Sequence, residues 1–325
     1  MYTWKQIDPE HTRELGLDLL AETRVDKPYI VLVISSCVIA TLGLLSNSAA
    51  VIIGAMIIAP LMFPIRSLAF GALVGDTFLF KKSIIALLWG TFLALFVSCL
   101  IGWLTGLTIL GSEIMARTQP NLLDLGIAIS AGAIGGYAKI QPKVSGSIAG
   151  TAIAVALMPP ICVIGLGVSQ GNWFISRGAT ILYLTNLLGI ALACMLVFLL
   201  AGYAPLHQAR KPLLAAFFLT SLLLIPLGIS FSQIVEKDNL ERNLKQALLN
   251  RTVTFQRLEL VEFNVRWREN PPEIYLTVRA NEPVTPKQVQ LLESFLHREI
   301  GHPFKLIFIV SYVEEVTRDG VREIE

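Results

Sequence analysis

Residues 46–76 read SNSAAVIIGAMIIAPLMFPIRSLAFGALVGD, with only two charges, Arg66 and Asp76, and two prolines, Pro60 and Pro64. A run this apolar is long enough to cross a bilayer, which takes about 20 residues because lipid cannot satisfy an open backbone. Proline removes a backbone donor and crowds the preceding turn. The helix is therefore expected to break in mid-membrane, close to Arg66. An ionisable group at such depth is costly, which makes it a functional-site hypothesis by default.

The rest of the chain fits the same solvent. Of 325 residues, 54% are apolar and 15% charged, where a soluble domain carries about a quarter charged. The net charge of +2 gives no footprint for nucleic acid. The four cysteines, Cys37, Cys99, Cys162 and Cys194, sit in apolar runs and read as small buried hydrophobes. The first apolar run follows a charged leader of 28 residues and is expected to act as a signal anchor.

Seven runs qualify as spans: 29–45, 49–75, 84–107, 125–137, 150–168, 179–204 and 213–231. The fourth is short and glycine-rich. If all seven cross and the N-terminus is inside, the inner side holds Lys5, Arg13, Arg24, Lys27, Lys81, Lys82, Lys139, Lys143, Arg210 and Lys211. The outer short loops then hold Arg117 and Arg177 only. The positive-inside bias favours this arrangement over one with re-entrant second and fifth runs. It places the chain in a prokaryotic-type inner membrane with a cytoplasmic N-terminus and an extracytoplasmic C-terminal domain.

The run around Pro60 has a second edition. Ser48 precedes Pro60 by twelve residues, as Ser147 precedes Pro159; Gly71-x-x-x-Gly75-Asp76 is answered by Gly167-x-x-x-Gly171-Asn172. Paired this way, the second copy is three residues shorter between proline and glycine motif. The expected architecture is an all-α polytopic bundle of about seven spans. It comprises two inverted three-span repeats (29–107 and 124–204), a last transmembrane helix (213–231), an N-terminal cytoplasmic segment (1–28) and a small C-terminal α+β domain (232–325). Inverted repeats with interrupted helices are common in secondary transporters. Five Gly-x-x-x-Gly pairs (at 71, 102, 132, 146 and 167) also suit close helix packing with no solute at all.

The N-S-x-A-x-x-I-G-A-M-x-I-x-P-L-M-x-P core of residues 47–64 resembles the signature of a widespread prokaryotic family of hydrophobic membrane proteins, domain-of-unknown-function family 389. The likeness extends over roughly residues 30–205. It implies a multi-pass membrane protein and no established reaction.

Candidate residues follow from depth and spacing. A solute path would be flanked by Ser46, Asn47, Ser48, Pro60, Pro64 and Arg66 in one copy, and by Ser145, Ser147, Pro159 and Pro160 in the other. Arg66 beside a broken helix end suits an anion. The alternative is that Arg66 snorkels toward the inner surface near Lys81, or pairs with Asp76 for structure. A pair with Asp76 inside one unbroken helix is excluded, because ten residues span about 15 Å. Asp76 and Asn172 read as an ion site or as caps of the following helices. The serines read as caps or as a polar lining. His11, His207, His297 and His302 form no metal spacing, and no nucleophile elbow or phosphate loop is present. Neither catalysis nor a cofactor is expected.

Residues 1–28 hold six acids and four bases with Leu15, Leu19 and Leu20 at helical spacing, which reads as a short helix against the inner surface or the spans. Residues 232–325 read α-β-β-α-β: a helix over 234–250, strands over 252–266, 273–279 and 304–312, and a helix opened by the Thr285-Pro286-x-Gln288 capping box. The first strand is expected to point Val261, Phe263 and Val265 inward. The order resembles the small ring-building modules of secretion systems, and its sheet edges point to a homo-oligomer. The expected function is passage of a small solute, with an anion favoured by Arg66. The rival is a non-transporting assembly or sensor protein whose C-terminal domain binds a partner or itself.

Overall fold

The computed structural model describes residues 7–106, 111–141, 157–252, 258–267, 271–280, 283–312, 315–317 and 320–322. Two compact units divide the chain, 1–231 and 232–325.

In the first unit, α1 (Pro9–Glu22) begins at Asp8, whose carboxylate caps it. α2 (Lys27–Leu45) begins at Asp26 in the same way. The quoted stretch becomes two helices, α3 (Ala49–Ile58) and α4 (Met62–Val74), bent by 52° at the residues around Pro60. Then follow α5 (Thr77–Thr105), the short α6 (Ser112–Ala116), α7 (Leu122–Ile140), α8 (Met158–Ser169) and α9 (Trp173–Leu200). α10 (Leu206–Arg251) contains Pro212 and Pro226.

Among the described residues, five helices are long and apolar enough to cross a membrane: α2, α5, α7, α9 and the stretch Leu206–Leu249 of α10. The bent α3–α4 pair makes a sixth if counted as one span. The chain is thus a membrane-embedded helical protein. The short fourth run gains full length, because the Asn121/Asp124 capping box starts α7 three residues early. Of the fifth run, only residues 157–168 are described, and α8, which begins at Met158, has twelve residues, too few to cross alone.

Packing in this unit is close and glycine-mediated. A Cβ at Gly132 would lie 2.5 Å from the Ile190 carbonyl oxygen and 2.7 Å from its Cα, so α7 and α9 meet backbone to backbone. Gly165 does the same for α8 on α5, where Leu95 O is 2.8 Å away. α4 packs on α9 and α8 packs on α5. Phe70 of α4 meets Phe198 of α9 edge to face at 5.2 Å. Large apolar side chains such as Trp89, Phe92, Trp103 and Phe217 stay exposed, as a lipid-facing surface requires.

The second unit holds the C-terminal part of α10, β1 (Leu258–Arg266), β2 (Glu273–Ala280), α11 (Pro286–Ile300), β3 (Lys305–Tyr312) and a hairpin of β4 (Glu315–Thr317) and β5 (Gly320–Arg322). β2 is central, antiparallel to β1 and parallel to β3. Ile274, Leu276 and Val278 form its buried face, against Leu292 and Leu296 of α11 and Leu244 and Leu248 of α10. Val261 does not point inward as expected; it is 52% exposed. The pairing shifts between Leu260 and Glu262, so a bulge switches the core face from Leu258 and Leu260 to Phe263 and Val265. The β4–β5 hairpin is absent from the sequence reading.

Candidate functional site

Arg66 lies one turn into α4 and is 6% exposed. Its Nη2 donates to Glu22 Oε2 of α1 at 3.0 Å. The other oxygen, Oε1, accepts from Lys139 Nζ of α7 at 2.8 Å, and Lys139 also reaches Asp18. One carboxylate therefore bridges a guanidinium and an ammonium, whose side chains are 8% and 10% exposed. The guanidinium also sits 5.5 Å from the Phe63 ring centroid. Its Nε is buried and has no hydrogen-bond partner among the described residues, which costs desolvation energy in a packed interior.

α1 is anchored beside this cluster. The Thr23 hydroxyl donates to that of Ser67 at 2.6 Å. Ser67 in turn reaches the carbonyls of Leu19 and Phe63 at 3.0 and 2.9 Å. Leu19 is fully buried in the core of the membrane unit. Arg66 thus has a structural partner, and it is neither Lys81 nor Asp76. That partner lies 44 residues upstream, where no local spacing could find it. Asp18 and Glu22 stand four apart on one face of α1; that acidic pair beside the apolar Leu15 and Leu19 is the signal that marks them.

Asp76 and Asn172 serve as helix caps. Asp76 Oδ1 accepts from the amides of Phe78 and Leu79 at 3.0 and 2.9 Å; Asn172 Oδ1 accepts from Ile175 N at 3.3 Å. The glycine before each is left-handed, Gly75 at φ 78° and Gly171 at φ 64°. The first glycine of each motif lets the next helix approach. A Cβ at Gly71 would meet Phe80 N at 2.9 Å, and one at Gly167 would meet Ser176 N at 3.0 Å. Both turns therefore share one construction at a constant offset of 96 residues. The offset extends back to the helix starts Met62 and Met158, which pairs Pro64 with Pro160 and leaves no three-residue gap. The sequence pairing of Pro60 with Pro159 is corrected accordingly. Asp76→Ala and Asn172→Ala are each expected to lower thermal stability in detergent by about 1 kcal/mol, the usual value of such a cap.

The polar cluster at the start of α3 ties loops together. Asn47, at φ 54°, accepts from Ser112 Oγ at 3.1 Å and from Glu113 N at 2.9 Å through Oδ1, so it caps α6 from a distance. Ser46 Oγ donates to the Gly43 carbonyl. Ser48 is the N-cap residue of α3 without a side-chain bond. Ser145 and Ser147 lie outside the described residues. Pro60 lies in the α3–α4 break, Pro64 in the first turn of α4, and Pro159 and Pro160 in the first turn of α8.

A cavity of about 270 Å³ opens at that last turn, lined by Pro160 of α8, Glu113 and Ala116 of α6, Arg117 at the C-cap of α6, Asp124 and Ile127 of α7, and Leu182 and Asn186 of α9. Arg117 and Glu113 pair at 2.8 Å, and Asn186 is 5% exposed. Among the described path residues only Pro160 reaches it, and Arg66 is not among its walls. Among the described residues, no group of His, Cys, Asp and Glu could hold a metal ion. The arrangement offers one cation, one amide and two carboxylates around a small, mostly apolar volume, a combination that can bind a small solute with a polar group.

Residues 56–192 match the family model described as "Domain of unknown function (DUF389)". The chain is 29% identical over 241 residues to an uncharacterized protein of Methanocaldococcus jannaschii, with 70% of this chain and 75% of that one covered. No solved structure matches.

Proposed function

We propose that this chain, whose residues 56–192 match the DUF389 family model, passes a small solute, an anion by preference, across the membrane that holds it. In this reading α2–α5 and α7–α9 are two halves facing opposite leaflets, and the solute moves between their broken helices. The observation that carries passage of a solute is the cavity of about 270 Å³ at Pro160, whose mostly apolar wall holds the polar groups of Arg117, Glu113, Asp124 and Asn186; the preference for an anion rests on the buried cations Arg66 and Lys139. The 96-residue offset between the two glycine turns supports a duplicated unit. An odd number of crossings per unit would invert the second copy.

The same reading puts the N-terminus in the cytoplasm and the C-terminal domain outside it, in an inner membrane. It gives the chain no catalytic reaction and has copies associate through the open edges of the β1-β2-β3 sheet. Flux of a panel of anions and neutral solutes in reconstituted vesicles is the test. Arg117→Ala is expected to slow anion flux at least about tenfold, the effect of losing roughly 1.4 kcal/mol of solute interaction. If no anion or neutral solute moves, the reading falls. The non-transporting assembly or sensor reading, which the neutralised Arg66 favours, then replaces it.

A further inference from the structure

Three elements, α1, α4 and α7, meet at Glu22. Two cations from the membrane helices, each about nine-tenths buried, share one carboxylate of a helix that lies outside the spans. Asp18 offers a second carboxylate from a position 62% exposed. A carboxylate gripped by one oxygen to a guanidinium and the other to an ammonium is held as a free oxyanion would be. Arg66 keeps one further buried donor, Nε, that nothing on α1 reaches. An oxyanion with more acceptor oxygens than a carboxylate could satisfy it.

We propose that Arg66 and Lys139 form a binding site for a small oxyanion, and that the N-terminal helix keeps this site shut by placing its own Glu22 carboxylate there. α1 is then a built-in competitor, released when an oxyanion takes its place. The inference goes beyond the proposed function by adding, apart from the cavity at Pro160, an anion site at Arg66 with a ligand class and a plug, and the binding needs no flux to be measured. Free phosphate and the headgroup of an anionic lipid share the required chemistry.

The test uses the full-length chain in phospholipid-free detergent micelles with inorganic phosphate as probe. In the unaltered protein, phosphate is expected to accelerate tryptic cleavage at Arg13, which lies within docked α1. Glu22→Gln is expected to melt at lower temperature than the unaltered protein, to be restored by phosphate, and to bind it roughly 10- to 100-fold more tightly. That factor is the affinity regained when a site closed about 90–99% of the time is freed. Adding Arg66→Gln is expected to abolish the binding. Phosphatidic acid titrated into the same micelles assigns the source: if it displaces phosphate, the natural occupant is a lipid headgroup, and if it does not, a free anion.

Equal phosphate affinity in the unaltered and Glu22→Gln proteins would overturn the inference, as would binding that survives Arg66→Gln. If Glu22→Gln does not fold, Asp18→Asn and the trypsin readout decide: cleavage at Arg13 indifferent to phosphate sinks the plug. Phosphate binding without vesicle flux leaves the plug standing and removes transport. Flux with no phosphate effect at Arg13 does the reverse.

Discussion

Glu22→Ala is expected to cost about 3 kcal/mol of stability, and Arg66→Met less than half of that. The asymmetry comes from what each change leaves behind. Without Glu22, Arg66 and Lys139 remain as two cations at 8% and 10% side-chain exposure with one oxygen bridge gone. Breaking a buried pair from one side typically costs about 3–5 kcal/mol. The lower end applies because Glu22 is 28% exposed. Without Arg66, Glu22 keeps Lys139 at 2.8 Å, the orphaned Nε disappears, and methionine fills the apolar space beside Phe63. Denaturant unfolding in detergent measures both. An Arg66→Met loss equal to or larger than that of Glu22→Ala would show that the guanidinium, not the shared carboxylate, organises the cluster.

The second large effect is expected at Gly132. A leucine there would drive its Cβ against the Ile190 carbonyl oxygen and Cα, at 2.5 and 2.7 Å. Both are backbone atoms of α9, so no rotamer change relieves the contact and the two helices must separate. Overpacking usually costs about 1–3 kcal/mol, and backbone obstruction in a small-residue helix seam puts this case at or above the upper end. Gly126→Leu, on the same helix but with nothing within 4 Å, is the control and is expected to leave folded yield unchanged. Folded yield by size-exclusion in detergent reads both. Similar behaviour of the two variants would mean that α7 does not sit on α9 at this glycine.

Much of this architecture is legible without coordinates, for identifiable reasons. Lipid demands long apolar helices, so α2, α5, α9 and the apolar part of α10 stand out as runs. Pro60 and Pro64 mark the α3–α4 break. Thr285 and Gln288 mark the start of α11, where both arms of the capping box form. What escapes the sequence is set by distance and parity. The Arg66–Glu22 contact joins positions 44 apart across a change of environment. Asn47 looks like the start of its own helix, yet it caps α6 65 and 66 residues further on. The β1 bulge hides because Val261, Phe263 and Val265 keep an unbroken alternation, while Leu258 and Leu260 belong to the other parity. The cavity at Pro160 needs four helices to define it, and no single segment announces it.

The construction of the two glycine turns has a mechanical consequence. In each, a left-handed glycine, a side-chain cap and a glycine pressed against the next helix's backbone lock the short helix to the long one that follows. α4 with α5, and α8 with α9, should therefore pivot as stiff angle brackets rather than flex at their corners. The compliant point lies upstream, at residues 59–61, where α3 ends and α4 begins without a side-chain cap on either. Any rearrangement would swing Arg66 together with the whole of α5, so a short displacement at the proline would be levered into a long sweep at the far end of that helix.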